Sequence, residues 1–513
     1  MTKVFSVLTD KNTMEYILNN ALLIGSILLL ISVYFSKSSS RFGLPILVFF
    51  LFVGIAAGSE GIGGIAYENY ELTHSLSLLA ICLIIFSGGL LTKSQDIRPV
   101  LRSGISLSSL GVVITTASIG IFCYYLFSVP IFESLLIGAI LSSTDAAAVF
   151  TAFRDRNFQV SKNVRYTLEL ESGSNDPMAY LLVTVFLGFY QQKMSFNFDT
   201  LQFFVANPII GFCGGVAFFR LFKFLNDKVL LDFQGLYPAV ALGFVFLTYS
   251  TVTLFHGNGL LAVYLFGLNV GNSKIPHKNS LVSFFDGMSW LCQIGLFIML
   301  GMLVFPSRLL SIAPAGFALA LFSIFIARPI AVHISLAFSK FKMKEKALIS
   351  WAGLKGATPI VFASLVATHV GNEANFIFDV VFFAVLVSAL MQGSTINFVA
   401  KKLELLFECV HDPDFPVDME VLAQTKSGIG EFQIKAEDFA VNKKIYELGL
   451  PRGARIIFVK RSGSFVIPDG QTSLKEHDKI LFVTQQKEEV ELTVNAFSLG
   501  LEEQAIILPE DIA

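Results

Sequence analysis

Thirteen apolar runs, most of them near twenty residues, follow one another between residues 16 and 399, and few architectures accommodate that pattern. A helix needs about 20 mostly apolar residues to cross a bilayer. In lipid every backbone N–H and C=O must be satisfied within the protein, which leaves the helix as the spanning element for such runs. The runs cover 16–35, 44–58, 75–92, 103–128, 131–153, 163–190, 199–222, 235–254, 257–272, 283–304, 309–338, 346–369 and 376–399. Several are short or broken by Gly and Pro, so twelve is the alternative count. Composition points the same way: 54% of the 513 residues are hydrophobic and 15% charged, where a soluble chain carries about a quarter charged. The first run, from near Tyr16, has no basic leader or small-residue cleavage site and reads as a retained helix. The expected fold class is mainly α, a polytopic membrane protein with about 13 transmembrane helices.

The loops supply an orientation. Alternate connections carry Lys37/Arg41, Lys93/Arg98/Arg102, Arg154/Arg156/Lys162/Arg165, Arg220/Lys223/Lys228, Lys274/Lys278, Lys340/Lys342/Lys344/Lys346 and Lys401/Lys402, 20 basic residues in all. The other connections and the N-terminus hold four: Lys3, Lys11, Lys193 and Arg308. Positively charged loops stay on the cytoplasmic side. The N-terminus is therefore expected outside and the C-terminus in the cytoplasm, in the cytoplasmic (inner) membrane. An odd number of spans requires the same arrangement. Five cysteines (Cys82, Cys123, Cys213, Cys292, Cys409) are spaced too widely for a disulfide framework or a metal set.

Few charges remain inside the spans. Arg328 and Lys355 are the basic ones; Asp145, Glu171 and Asp176 are the firmly buried acids, with Glu169 and Asp286 nearer helix ends. Ionisable groups at bilayer depth are costly and by default mark an ion or proton pathway. A purely structural ion pair is the competing reading for Glu171 with Arg328. Asp145 and Asp176 have too few cations nearby for that reading to cover both. At 1.5 Å per residue, the helix entering near Phe132 reaches Asp145 after about 20 Å, and the next, entering near Asn163 from the opposite side, reaches Asp176 after a similar distance. Both carboxylates are expected near the midplane. Ser172 lies one turn before Asp176 on its face, and Thr144 adds a hydroxyl beside Asp145. Such oxygens suit Na⁺ or K⁺, and no thiol or imidazole cluster suggests a transition metal.

Backbone breaks accompany these residues. Pro177 cannot donate within its helix and Gly173 loosens the preceding turn; Ser142-Ser143-Thr144-Asp145 offers side-chain alternatives to the helical ladder. In the twelfth run, Gly353, Lys355, Gly356, Thr358 and Pro359 do the same. Discontinuous helices at the midplane are a transporter feature. The fifth and twelfth runs lie seven apart and are antiparallel, as inverted repeats require, which sets Lys355 opposite the break at Asp145.

These segments resemble the NhaP branch of the cation/proton antiporters: STDAAAVF at 143–150, ESGSNDP at 171–177, ARPIAV at 327–332 and WAGLKGATPI at 351–360. The resemblance covers about 16–400 and implies an NhaA-like fold with inverted repeats, an elevator mechanism and a homodimer. It implies that Asp176 carries the ion and the proton, with Asp145, Thr144 and Ser172 as co-ligands of the monovalent cation, and that Glu171 and Arg328 form the pair that holds the core. Asn175 stands where electrogenic relatives have a second aspartate, which implies electroneutral exchange. One position departs: the family's usual Gly-Leu-Arg-Gly-Ala is Gly353-Leu354-Lys355-Gly356-Ala357 here. Lysine keeps the charge but loses the planar fork of arginine.

After Lys402 the chain changes character. Residues 1–402 carry 26 Lys+Arg against 19 Asp+Glu, and residues 403–513 carry 11 against 20. A linker is expected at 403–427, then short β-like runs (GEFQIKA, ARIIFVKR, GSFVIPDG, DKILFVTQ) with turn signals at Asp469-Gly470 and Arg461-Ser462-Gly463. Residues 428–498 resemble the C-terminal lobe of potassium-conductance regulator domains (RCK_C), a small cytoplasmic α/β domain, and 499–513 form a C-terminal tail. That lobe reads either as a gate sensing an unidentified ligand or as an appendage aiding assembly. It lacks a Gly-rich dinucleotide fingerprint.

The expected function is secondary antiport of K⁺ or Na⁺ for H⁺ across the lipid bilayer, not an enzyme, without a cofactor or nucleic-acid partner. The regulator-like lobe favours K⁺. A ligand-gated channel is the alternative class, but it would show a Thr-Val-Gly-Tyr-Gly filter, and an intramembrane protease would show Gly-x-Gly-Asp, a serine nucleophile motif or His-Glu-x-x-His; the chain has none of these.

Overall fold

The computed structural model describes residues 22–34, 46–145, 149, 158–195, 197–229, 233–370, 374–408, 428–451, 453–461, 464–486 and 489–498. The chain divides into two compact units between Glu408 and Cys409. The start of the first expected span, Lys37/Arg41, Arg154/Arg156, Cys409, most of the expected linker and the 499–513 tail lie outside the described residues.

The first unit is helical. Its helices are α1 (Leu22–Tyr34), α2 (Ile46–Ala57), α3 (Tyr70–Leu91), α4 (Ser94–Phe127), α5 (Ile131–Ile140), α6 (Lys162–Tyr190) and α7 (Phe198–Lys228). They are followed by α8 (Leu236–Leu254), α9 (Gly259–Gly271), α10 (Lys278–Met302), α11 (Pro306–Ser335), α12 (Met343–Trp351), α13 (Thr358–Val370) and α14 (Ala374–Lys402). Among the described residues seven are long and apolar enough to cross a membrane: α3, α4, α7, α8, α10, α11 and α14.

Two expected spans are not continuous helices. The 131–153 run leaves helical geometry after Ile140. Ser142 Oγ turns back to the Ala139 carbonyl at 2.6 Å, and the Asp145 N–H goes to the Leu354 carbonyl at 2.9 Å instead of one turn back along its own chain. The 346–369 run is two helices, α12 and α13, joined by non-helical Ala352–Ala357. The fourth span begins earlier than expected, at Ser94, because the polar residues Asp96, Arg98 and Arg102 already form its first helical turns.

Helices pack closely where glycine allows it. A Cβ on Gly267 would lie 2.5 Å from the Phe86 carbonyl, and one on Gly89 2.5 Å from the Tyr264 carbonyl, so α3 and α9 meet backbone to backbone. Phe86, fully buried, packs beside this seam against Phe266 (tilted) and Phe285 (edge to face), at centroid distances of 5.2 and 4.6 Å. Pro177 sits inside α6, and its carbonyl accepts a hydrogen bond from Asn258 Nδ2 at 2.8 Å, which ties the helix to the N-cap of α9.

One short sheet belongs to this unit. Strands β1 (Phe158–Val160) and β2 (Leu406–Glu408) pair antiparallel, Val160 opposite Leu406. The strand that feeds α6 is thereby joined to the segment that leaves α14.

The second unit is a four-stranded antiparallel sheet, β3 (Gly428–Gln433), β4 (Arg455–Arg461), β5 (Ser464–Val466) and β6 (Lys479–Thr484), in the order β3-β6-β4-β5. Helix α15 (Glu489–Ser498) covers it, and Val459, Ile480, Phe482 and Phe497 form its core. Arg461 grips the buried Asp478 with two hydrogen bonds of 2.9 and 2.7 Å, the bidentate geometry that makes such pairs strong.

Candidate functional site

The two unwound segments meet in the middle of the first unit. Ser143–Asp145 follow α5, Gly353–Ala357 separate α12 from α13, and the bond from the Asp145 N–H to the Leu354 carbonyl joins them. Glycine is needed at the contact. A Cβ on Gly356 would overlap Asp145 Oδ2, and one on Gly353 would stand 2.5 Å from Arg328 Nε. Gly356→Ala is therefore expected to displace Asp145 and to cost about 1–3 kcal/mol, the usual penalty of overpacking. Thermal unfolding of the purified variant in detergent measures this, and an unchanged melting temperature would contradict the tight contact.

Asp176 faces this crossing from α6. It is 9% exposed. The Ser143 hydroxyl donates to its Oδ1, and the Thr358 hydroxyl donates to Oδ2 at 3.0 Å. Each broken segment thus lends one neutral hydroxyl to the same carboxylate. Among the described residues no Lys, Arg or His lies within ion-pair distance of Asp176, and its charged neighbour is Asp145, itself half-buried. Taking an unpaired carboxylate out of water is costly unless something neutralises it.

Asn175 ties α6 to the first break. Its Nδ2 donates to Thr144 Oγ1 at 2.6 Å and also approaches the Thr144 carbonyl at 3.3 Å. A carbonyl only accepts, so the amide nitrogen must be on that side. Asn175 Oδ1 is buried without a hydrogen-bond partner among the described residues. Ser172, one turn before Asp176, is half-buried.

Glu171 and Arg328 form a bidentate ion pair, 2.5 and 2.9 Å, with both side chains buried. Arg328 directly follows a π-helical turn in α11, Ser323–Ala327; such turns are frequent at functional positions. Lys355 lies in the second break. Its N–H donates to Ser388 Oγ at 3.2 Å, while its Nζ is buried without a hydrogen-bond partner among the described residues.

The crossing gathers Thr144, Asp145, Asn175, Asp176 and the Lys355 backbone, with Glu171 and Arg328 alongside. Ser143 and Thr358, the hydroxyls that reach Asp176, stand out in the sequence only as parts of the two backbone breaks, not as partners of the carboxylate. The signal was present: Ser143 precedes Thr144-Asp145, and Thr358, followed by Pro359, opens α13. Among the described residues no group of three or more His, Cys, Asp or Glu side chains is arranged to hold a metal ion.

Comparison with known proteins follows this division. Residues 26–402 match the family described as "Sodium/hydrogen exchanger, transmembrane", and residues 429–493 match the TrkA-C domain. The chain is 36% identical over 494 residues to the K(+)/H(+) antiporter NhaP2 of Shewanella baltica, covering 95% of this chain and 85% of that protein. It is likewise 36% identical to the K(+)/H(+) antiporter NhaP of Alkalimonas amylolytica, covering 90% of this chain and 81% of the relative. Among solved structures, the sodium proton antiporter MjNhaP1 from Methanocaldococcus jannaschii superposes with a TM-score of 0.67 at 22% identity, over 75% of this chain and 99% of that one, a likeness of fold. With the family match spanning most of its length, this chain is an integral membrane protein that belongs to the sodium/hydrogen exchanger family and carries, in addition, a TrkA-C domain.

Proposed function

We propose that this protein is a secondary antiporter that exchanges a monovalent cation, K⁺ before Na⁺, for a proton across the cytoplasmic membrane, one for one, and that it is not an enzyme. A single observation carries the reading. Asp176 is buried at a crossing of two broken helices, bonded to two neutral hydroxyls and to no protein cation among the described residues. A proton or a metal cation can neutralise it, and one carboxylate cannot hold both. Competition for that group couples the two fluxes. Asp145, Thr144 and Ser172 complete the ion and proton site, with Ser143 and Thr358 added by the geometry. Asn175, Glu171, Arg328 and Lys355 shape it. The neutral Asn175 beside Asp176 supports an electroneutral stoichiometry, and the K(+)/H(+) names of the relatives support K⁺.

The architecture we infer is NhaA-like, with thirteen crossings and inverted repeats. Counting α12 and α13 as halves of one crossing, α1–α14 would make thirteen, seven of them long and apolar enough to cross by themselves, which is compatible with this reading. The repeat reading is supported by two landmarks recurring in the same order. α4 and α11 each contain a π-helical turn, Leu107–Gly111 and Ser323–Ala327, and the crossing after each is unwound. A moving core carrying Asp176, as in an elevator, would resist crossing while the carboxylate is bare and charged, which suppresses leak. The lysine- and arginine-rich connections favour an external N-terminus and a cytoplasmic C-terminal domain, and the protein is expected to work as a homodimer. The exchanger domain is assigned to 16–400, the linker to 403–427, the regulatory domain to 428–498 and the tail to 499–513; no cofactor is invoked beyond an unidentified ligand of the regulatory domain.

The deciding experiment is transport in everted membrane vesicles. Addition of KCl should discharge a preset pH gradient reported by a ΔpH-sensitive dye, NaCl should do so less, and collapsing the membrane potential should leave the response unchanged. Absence of any cation-dependent proton movement would end the antiport reading. A second expectation concerns the regulatory domain. Ending the chain after Glu408 keeps β2 and should preserve exchange while altering its pH or ligand response. Ending it after Lys402 also removes the β2 strand paired with β1, and should lower the folded yield, as gel-filtration recovery in detergent would show.

A further inference from the structure

One peptide unit at the crossing is held at both ends. Its N–H belongs to Lys355 and donates to Ser388 Oγ at 3.2 Å; its C=O belongs to Leu354 and accepts from the Asp145 N–H at 2.9 Å. Ser388 in turn donates to Gln392 Oε1 at 2.5 Å, and Gln392 Nε2 donates to the Trp351 carbonyl at 2.8 Å. Trp351 is the last residue of α12, where carbonyls have lost their intrahelical partners. Ser388 and Gln392 lie i, i+4 on one face of α14, and are 2% and 1% exposed. The amide orientation follows from its neighbours. The Ser388 hydroxyl, having accepted from Lys355, offers its proton to the amide oxygen, and the amide nitrogen faces a carbonyl.

We propose that Ser388 and Gln392 are positioning residues for the cation site: by fixing the plane of the Leu354–Lys355 peptide they set where Asp145 stands relative to Asp176, and through it how tightly the site holds a cation and which cation it prefers. This rests on the reading of Asp176 as the exchange group. The connection is short. Two residues before Asp145, Ser143 donates to Asp176; three residues after Lys355, Thr358 does the same. Both hydroxyls on the carboxylate are therefore carried by segments that meet at the held peptide. A monovalent-cation site discriminates through cavity size and the number and field of its oxygens, and both follow ligand position. Neither Ser388 nor Gln392 bonds Asp176 itself, so their effect acts through the backbone.

The test uses the full-length protein, both in everted vesicles and purified in detergent. Ser388→Ala and Gln392→Met, the second matched in size, should each raise the apparent KM for K⁺ about tenfold, the scale of one lost buried hydrogen bond. The maximal rate should change far less, and the K⁺:Na⁺ preference should shift. The double variant should be little worse than either single one, because the two bonds act in series. Ser388→Thr keeps the hydroxyl and should restore the wild-type KM. Thr395→Val is the control. Thr395 lies on the same stretch of α14 and accepts from the Trp351 indole at 3.1 Å, but does not touch the held peptide; its variant should keep KM and preference. The increase in melting temperature produced by KCl should shrink in Ser388→Ala in step with KM. A folded Ser388→Ala protein with unchanged KM and ion preference would overturn the proposal. So would loss of maximal rate at constant KM across all variants including Thr395→Val, which marks a merely structural role. If Gln392→Met fails to fold, the Ser388 Ala/Thr pair decides alone. If the wild-type protein shows no saturable cation-dependent exchange, the antiport reading has failed rather than this one.

Discussion

Asp176→Asn should abolish cation-dependent proton movement in everted vesicles while leaving a folded protein. Asparagine has nearly the same shape, and its amide can still meet the Ser143 and Thr358 hydroxyls, since a hydroxyl both donates and accepts. What it lacks is a charge to trade. A side chain that is neutral at every pH neither releases a proton to admit a cation nor takes one up when the cation leaves. Exchange should therefore fall by at least about 100-fold, to the background of vesicles without the protein, comparable to the removal of a group that acts directly on charge at a reacting centre. Stability should hold or rise, because the substitution removes a buried carboxylate that has no cationic partner among the described residues. Melting temperature and transport measured on the same preparation separate the two effects. Retained pH-dependent exchange would remove Asp176 from the mechanism.

Arg328→Met should be the most destabilising substitution in the first unit. It leaves the buried carboxyl of Glu171, 1% exposed, with its bidentate partner gone. Breaking a buried pair from one side costs about 3–5 kcal/mol, which is most of the stability of a marginal fold. Folded yield after solubilisation should collapse, and the melting temperature of what survives should drop. The double variant Glu171→Leu/Arg328→Met should recover much of the loss, because replacing both charges by apolar groups removes the desolvation cost along with the attraction. A double variant as damaged as the single one would mean that Arg328 does more than neutralise Glu171. Its packing against Gly353, where a Cβ would meet Nε at 2.5 Å, names the other task.

Much of this site could be read in advance because its determinants are local. A carboxylate in an apolar run, a proline inside a helix and the Gly-Leu-Lys-Gly-Ala-Thr-Pro stretch each announce themselves within a few residues. The Glu171–Arg328 pair was legible for a related reason: so few charges lie at depth that the candidates could be enumerated. What escaped was determined by the crossing itself. Helical spacing points to Ser172 as a partner of Asp176, but that rule sees one helix at a time. Ser143 and Thr358 reach the same carboxylate from other segments. The β1–β2 ladder escaped for a similar reason: three-residue strands leave no alternation to detect, and Val160 and Leu406 are far apart in the chain. The residues of the fifth and twelfth runs point to breaks, but where each helix stops depends on a hydrogen bond to the other segment. In the second unit, alternation and turn residues marked the strands. Their order, β3-β6-β4-β5, depends on long-range pairing that alternation does not encode.

The helix that holds Asp176 is, by its own composition, weakly committed to the bilayer during synthesis. α6 is not among the seven helices that are long and apolar enough to cross a membrane by composition. Two of the contacts that secure it come from much later in the chain. Glu171 waits for Arg328, 157 residues on, and the strand that feeds α6 waits for Leu406–Glu408. At ribosomal speeds of about 5–20 residues per second, that is a delay on the order of ten seconds or more. For that interval a half-made chain carries an unpaired acid in an apolar setting, and the insertion machinery must shelter it. The residues that make exchange possible thus impose an order of assembly, in which the exchange helix becomes settled only after the second half of the protein has arrived.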